Sequence, residues 1–343
     1  MASPPAPGPE IRLGDDDVAK LDRLRAAYRR LQDELGRVII GQADTIERLA
    51  ICLFARGHAL LVGVPGLAKT LLVSRLAEAV SLKFSRIQFT PDLMPMDITG
   101  TDILQESGGR REFSFVPGPV FANIVLADEI NRAPPKTQAA MLEAMQEQKV
   151  TVVGKTSRLE PPFFVLATQN PVEQEGTYPL PEAQLDRFMF LIEVDYPSEE
   201  EEVMIARTTT GDTLPPLDHV LSAAEIIEFQ HLVRRVPVPD HIYHFATKLV
   251  RRTRPHGATA PDWLKPLVAW GAGPRAVQYL ILGAKARAAL TGGYMVRLED
   301  IAAVAAPVLA HRVLTTFAAQ AEGIDARRIC ERLMNEALAT TSG

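Results

Sequence analysis

The residues Gly63-Val64-Pro65-Gly66-Leu67-Ala68-Lys69-Thr70 have the types and the spacing of a phosphate-binding loop. The apolar run Ala59-Leu60-Leu61-Val62 precedes them and reads as a buried strand, while Leu71 to Ala77 follows and reads as a helix. In that setting successive backbone N–H groups converge on phosphate oxygens, and the helix N-terminus adds partial positive charge. Lys69 is placed to reach the β- and γ-phosphates of ATP, and the Thr70 hydroxyl to ligate Mg²⁺. The strict pattern has glycine before the lysine, where this chain has Ala68. Helical dihedrals are expected at that position, so that a Cβ costs little, and the turning of the loop is assigned to Gly63 and Gly66.

A second apolar strand, Asn123 to Ala127, runs directly into Asp128-Glu129. Asp128 at the strand end can hold Mg²⁺, and Glu129 is the candidate general base for an attacking water. Two acids in series are commonly a solvated loop; a buried strand before them and a phosphate loop upstream reverse that reading. A third strand, Phe163 to Thr168, ends at Gln169-Asn170-Pro171. The Asn170 carboxamide can position the water, the bland alternative being a turn-forming Asn-Pro. Arg187, in Leu185-Asp186-Arg187-Phe188, precedes a further apolar strand and suits an arginine finger that serves a neighbouring subunit's nucleotide. Arg275, in Gly273-Pro274-Arg275, opens a helix and can contact a γ-phosphate; a surface arginine at a helix start is the competing reading.

In order along the chain, Gly41-Gln42, the Gly63–Thr70 loop, Asp128-Glu129-Ile130-Asn131-Arg132-Ala133, Ala167 to Pro171, Glu175 to Phe188 and Gly273-Pro274-Arg275 resemble the MoxR family of AAA+ ATPases. That family's phosphate loop usually carries the same alanine. The resemblance runs from about Val38 to the C-terminal helices and is most specific between Gly63 and Phe188. It implies a Mg²⁺-dependent ATPase that forms a homo-oligomer, usually a hexameric ring, and acts as a chaperone-like remodelling factor. It also implies a partner protein with a von Willebrand A domain, and a role in metal or cofactor insertion or in complex maturation. Gly41 and Gln42 would border the adenine. The implied fold is an α/β AAA+ module: a five-stranded parallel P-loop core with a helix-2 insert, plus a smaller all-helical lid. Three other readings stay open: a DNA-dependent motor of a related clade, a magnesium-chelatase-like subunit, and a nucleotide-dependent scaffold with negligible turnover.

The elements that must position these groups are legible in the pattern. Strands are expected at Ala59–Val62, Phe84–Phe89, Asn123–Ala127, Phe163–Thr168 and Phe188–Val194, alternating with helices, which is the signature of a parallel sheet covered on both faces. Two hairpins interrupt the alternation, one turning at Gly108-Gly109 and one at Gly154-Lys155. The resemblance makes them the helix-2 insert and a pre-sensor hairpin facing the ring pore. Val38-Ile39-Ile40 reads as strand-like. Helices are expected at Ala223–Val233, Pro239–Arg252, Pro274–Leu290 and Leu298–Ala310. The expected division is a disordered tail at 1–14, rich in proline to residue 9, an α/β nucleotide-binding core with an N-terminal helix at 15–197, a linker at 198–221 and the helical lid at 222–343.

Composition sets the remaining bounds. With 343 residues and a net charge of −5, the chain is sized for one large and one smaller domain and is a poor generic binder of polyanions, which argues against nucleic acid as partner. No apolar run is long enough to span a membrane, and no secretory leader is expected. Cys52 and Cys330 read as two buried, reduced thiols of a cytoplasmic protein. His241 and His244 read as helix-surface residues, and no zinc-type ligand spacing occurs.

Overall fold

Five short segments form one parallel sheet whose three inner strands are apolar and buried on both faces, while the two outer strands are less covered. The structure, a computed structural model, describes residues 13–107, 110–172, 176–211 and 215–341. The proline-rich tail and the Gly108-Gly109 turn lie outside the described residues, as does Glu175. The sheet strands are β1 (Ala59–Val62), β2 (Phe84–Gln88), β5 (Ile124–Asp128), β8 (Phe164–Gln169) and β9 (Phe190–Glu193). They lie in the order β2-β5-β8-β1-β9, and every pairing is parallel. Alternate residues enter opposite cores: Ala59 and Leu61 with Ile124, Leu126, Phe164 and Leu166 on one side, and Leu60 with Val125, Ala127, Val165 and Ala167 on the other. Two antiparallel hairpins stand outside the sheet, β3 (Gly100–Ser107) with β4 (Arg110–Pro117), and β6 (Lys149–Val152) with β7 (Lys155–Arg158).

The helices cover the two faces unequally. On the first face lie α1 (Asp15–Gly36), α2 (Ala43–Ala55) and α3 (Lys69–Ala79); on the second lie α4 (Pro95–Thr99) and α5 (Pro135–Glu147). After the short α6 (Glu182–Leu185), the helix α7 (Glu199–Thr209) leaves the sheet without burying any residue. It starts on a capping box in which the Ser198 hydroxyl accepts from Glu201 N and Glu201 Oε2 accepts from Ser198 N. The smaller part contains α8 (Ala223–Arg235), α9 (Asp240–Arg252), α10 (Pro274–Thr291), α11 (Leu298–Leu309), α12 (Phe317–Ala321) and α13 (Ala326–Thr341). Its helices carry one antiparallel ribbon, β10 (Val268–Trp270) with β11 (Leu314–Thr315). Leu280 and Ala284 of α10 share a core with Leu24 of α1 and Leu49 of α2, so the N-terminal helices bridge sheet and lid.

Val38-Ile39-Ile40 forms a connector, not a strand. Val38 and Ile39 are consecutive and both buried, which alternation would forbid in a one-sided strand; they pin the chain between α1 and α2. Cys52 and Cys330 are buried, unbridged thiols, and His241 and His244 are exposed on α9. No helix among the described residues is long and apolar enough to cross a membrane.

His58 ties three elements together just before β1. Its Nδ1 accepts from Val165 N at 3.0 Å, and its Nε2 donates to Met145 O at 3.2 Å. Burial pushes its pKa down to about 4. The neutral ring is therefore favoured in the fold, and its stabilisation is complete above the unfolded value near 6.5 and lost as pH falls towards 4. The loss should reach roughly 3 kcal/mol. Buried His311 shifts the same way and adds its own slope, so the His58 share is read as a difference. Denaturant unfolding between pH 7 and 4 should show a flatter pH dependence for His58→Gln than for the natural chain. Equal slopes would show that His58 is not held neutral.

Candidate active site

The loop between β1 and α3 is shaped by three different constraints. Gly66 has φ +90° and supplies the turn. Gly63 does not turn the chain; it is needed because a Cβ there would lie 2.7 Å from the Val194 carbonyl oxygen at the end of β9. Ala68 departs from the expected helical dihedrals: at φ 53°, ψ 22° it caps α3 in the left-handed region, where an L-residue is strained. Leu72 N still donates to Ala68 O at 2.8 Å, so the helix begins on this strained residue. Lys69 Nζ folds back to donate to Gly63 O. Burial lowers the Lys69 amine from its usual range, and the Asp128 and Glu129 charges oppose that shift. Gln42 Nε2 donates to Leu67 O at 3.0 Å and steadies the loop from the start of α2.

Two consecutive acids at the end of β5 meet this loop across β8. Register sets Leu126 beside Leu166 and Val62 beside Gln169, so β5, β8 and β1 end side by side. Thr168, almost fully buried, locks the junction: its hydroxyl donates to Asp128 Oδ1 at 2.7 Å and accepts from Glu129 N at 2.8 Å. Asp128 Oδ2 lies 3.4 Å from the Thr70 hydroxyl. Glu129 turns through φ 55°, ψ 50°, a second strained residue at the site. Its Oε2 accepts from Gln88 Nε2 at 2.9 Å and from Arg132 Nη1 at 3.0 Å. Asn170, next along β8, is buried; its Oδ1 accepts from Val172 N at 3.1 Å, and its Nδ2 has no partner among the described residues.

Arg86 and Gln88 carry no role in the sequence reading, yet each grips one acid. They are i, i+2 neighbours on one face of β2, and Gln88 registers against Asp128. Two polar residues of one parity in an otherwise apolar-flanked strand were the available signal. The remaining arginines stand elsewhere. Met189 N donates to His58 O at 2.7 Å, so the segment before β9 sits at the end of β1 remote from the loop. There Asp186 pairs with Arg275 at 2.8 Å and with Arg312 at 2.8 Å. Arg187 is partly exposed, and its guanidinium has no partner among the described residues. The structure therefore gathers Gly63 to Thr70, Asp128, Glu129 and Asn170 at the C-terminal ends of the strands, and Arg187 with Arg275 at the opposite end.

A cavity of about 660 Å³ adjoins the loop, lined by Ile39, Gly41, Gln42, Val194, Tyr196 and Glu201 among others. A Cβ on Gly41, at φ +75°, would meet the Glu201 carboxylate at 2.6 Å. Gln42 Oε1 is buried there without a partner among the described residues. A larger cavity of about 770 Å³, between Asp186, Trp270 and Arg312, lies away from the loop, and the Asp186 carboxylate in it is already paired. Among the described residues no cluster of three or more His, Cys, Asp or Glu side chains is placed to hold a metal by itself. Thr70 and Asp128 offer two hard oxygens, a donor set that suits Mg²⁺ shared with phosphates.

Comparison with known proteins agrees with this fold. Residues 58–190 match the family described as the ATPase family associated with various cellular activities, and residues 263–333 match its lid domain. The chain is 44% identical over 301 residues to Chaperone MoxR1 of Mycobacterium tuberculosis, covering 88% of this chain and 79% of that one. It is 33% identical over 319 residues to Protein MoxR of Methylorubrum extorquens, covering 88% and 91%. A crystal structure from Cytophaga hutchinsonii superimposes with a TM-score of 0.86 at 42% identity, covering 92% of this chain and 96% of that one.

The strain at Ala68 is measurable. Ala68→Gly should relieve roughly 1–2 kcal/mol of left-handed strain. The more flexible unfolded chain offsets about 0.4–1 kcal/mol of that. A net gain of about 0.5–1 kcal/mol in denaturant unfolding is expected, and a loss of that size would show that Ala68 is not left-handed.

Proposed function

The chain belongs to the MoxR family of AAA+ ATPases, and from that premise we infer how its residues divide the work of ATP hydrolysis. The observation that carries the reading is the convergence of the loop, Asp128-Glu129 and Asn170 at the C-terminal ends of three adjacent parallel strands, where open α/β sheets bind ligands. Bound Mg²⁺ would neutralise phosphate charge, held by Thr70 and Asp128. Val64, Leu67 and their neighbours in the loop present backbone N–H groups to the phosphates, while Pro65, which has no N–H, only fixes the path of the chain. Lys69 exchanges its contact with Gly63 O for a phosphate oxygen. Glu129 accepts the proton of the attacking water once Gln88 and Arg132 release it, and the free Asn170 Nδ2 orients that water. Gly41 and Gln42 hold the adenine in the 660 Å³ cavity.

Arg187 completes the site from a neighbouring copy. Its guanidinium, without a partner among the described residues and at the end of the strands opposite its own loop, supports action on the next subunit's γ-phosphate, and Arg275 beside it supports the same direction of action. Both fit a closed ring, with six copies as the family pattern. The ring acts as a chaperone that remodels a client or assists metal or cofactor insertion beside a von Willebrand A domain protein. Leu104 and Phe113, paired across the β3–β4 hairpin and both exposed, support client contact there. Two unbridged buried thiols fit a cytoplasmic location.

Site-directed variants separate binding from chemistry. Lys69→Ala should lose nucleotide binding and turnover together. Glu129→Gln should retain ATP while turnover falls on the order of 10²-fold or more. Arg187→Ala should bind ATP and fall on the order of 10³-fold in turnover. Mixing these last two inactive proteins should partly restore activity, because some interfaces then join an intact Glu129 to an intact Arg187. Native mass spectrometry that shows mixed assemblies without any recovery would count against action between subunits.

A further inference from the structure

We propose that Arg86 is an internal counter-cation that covers the Asp128 oxygen needed for cation binding and has to leave it when Mg²⁺–nucleotide is taken up. The inference rests on the reading of Asp128 as a holder of Mg²⁺. Asp128 Oδ1 is committed to the Thr168 hydroxyl at 2.7 Å. Its Oδ2 receives both Arg86 Nε at 2.9 Å and Arg86 Nη2 at 2.7 Å, while the Thr70 hydroxyl stays at 3.4 Å. The side chain of Asp128 is only 11% exposed. A carboxylate so enclosed is costly without a positive partner. The loop's own cation does not serve, because Lys69 Nζ is turned to Gly63 O. Arg86 fills that place.

The same residue is built to leave. Arg86 is 48% exposed and sits on β2, the outer strand of the sheet, so its guanidinium can pass into solvent without unpacking a core. Guanidinium and metal ion compete for one oxygen and repel each other there. Departure also loosens the second acid. Arg86 Nη2 donates to Gln88 Oε1 at 2.5 Å, and Gln88 Nε2 donates to Glu129 Oε2 at 2.9 Å. One displacement on β2 thus clears Asp128 and slackens the grip on Glu129, which links cation uptake to release of the base.

The test is a Mg²⁺ titration of the binding of a fluorescent ADP analogue to the full chain. Removing the competitor with Arg86→Gln should lower the half-saturating Mg²⁺ concentration about two- to fivefold, the range expected for losing a partly exposed ion pair. Affinity for the analogue in EDTA should not change. Arg86→Lys keeps the charge but loses the two-pronged contact, so a smaller fall is expected, and this variant decides the matter if Arg86→Gln does not fold. An unchanged or raised Mg²⁺ midpoint in the folded variant overturns the proposal, as does weakened binding in EDTA, which would make Arg86 a phosphate ligand. Asp128→Asn reports separately on the underlying reading. Full Mg²⁺ dependence in Asp128→Asn removes Asp128 as the holder. Lost dependence there, beside an unshifted Arg86→Gln, removes only the role of Arg86.

Discussion

A single buried guanidinium fixes how the helical part sits on the sheet. The Arg312 side chain is 2% exposed, and a charge that deep is tolerated only when its donors are used. Its Nε donates to Asp186 Oδ1 at 2.8 Å, its Nη2 to Asp186 O at 2.8 Å and to Phe188 O at 2.6 Å, and its Nη1 to Val308 O. His311 beside it is kept neutral, by burial first and by the Arg312 charge second. The segment 186–189 is thereby stitched to the end of α11. With Asp186 drawn to the helical side, Arg187 is left without a partner among the described residues at the N-terminal end of β9. The position of the free arginine follows from the saturation of the buried one.

A similar saturation governs the opposite end of the strands. Thr168 serves as donor to Asp128 and acceptor for Glu129 N, so one hydroxyl fixes how two consecutive acids leave β5. Glu129 then takes a left-handed backbone and points where Gln88 and Arg132 reach it. Hydrogen bonds to charged groups are the stronger kind, about 1.5–3 kcal/mol each. Against that, the strain at Glu129 and at Ala68, of roughly 1–2 kcal/mol each, is affordable only because the surrounding strands are locked.

The sheet was legible because its strands, the mixed outer strand β2 aside, follow the strongest local signal, short apolar runs bounded by chemistry-bearing residues. Both hairpins and the loop, with Asp128, Glu129 and Asn170 at strand ends, followed from the same pattern. Strand order was not legible, since spacing alone cannot say that β8 lies between β5 and β1. Arg312 was invisible because nothing local marks an arginine as buried; its partners lie more than a hundred residues upstream in Asp186 and Phe188. Arg86 and Gln88 escaped for the same reason, being ordinary strand residues until pairing sets them beside Asp128. The dihedrals of Ala68 were misjudged because a glycine pattern identifies permissive positions without saying which one is turned left-handed.

The magnitudes of the contacts around Asp186 decide which of them can move. Arg275 and Asp186 are each about a third exposed, and such a pair contributes at most about 1 kcal/mol. Stripping the partners from Arg312 would instead leave a buried charge, at about 3–5 kcal/mol. Under the proposed ring, a neighbour's nucleotide can therefore draw Arg275 away while the helices stay fastened. At its other end β9 presents the Val194 oxygen to Gly63 of the loop, and Glu193 pairs with Arg327 of α13. The helical part thus holds β9 at both ends, through Arg312 and Arg327. A shift of the loop transmitted along that strand would carry α11 and α13 as one body, leaving the weak Arg275 contact as the joint that yields.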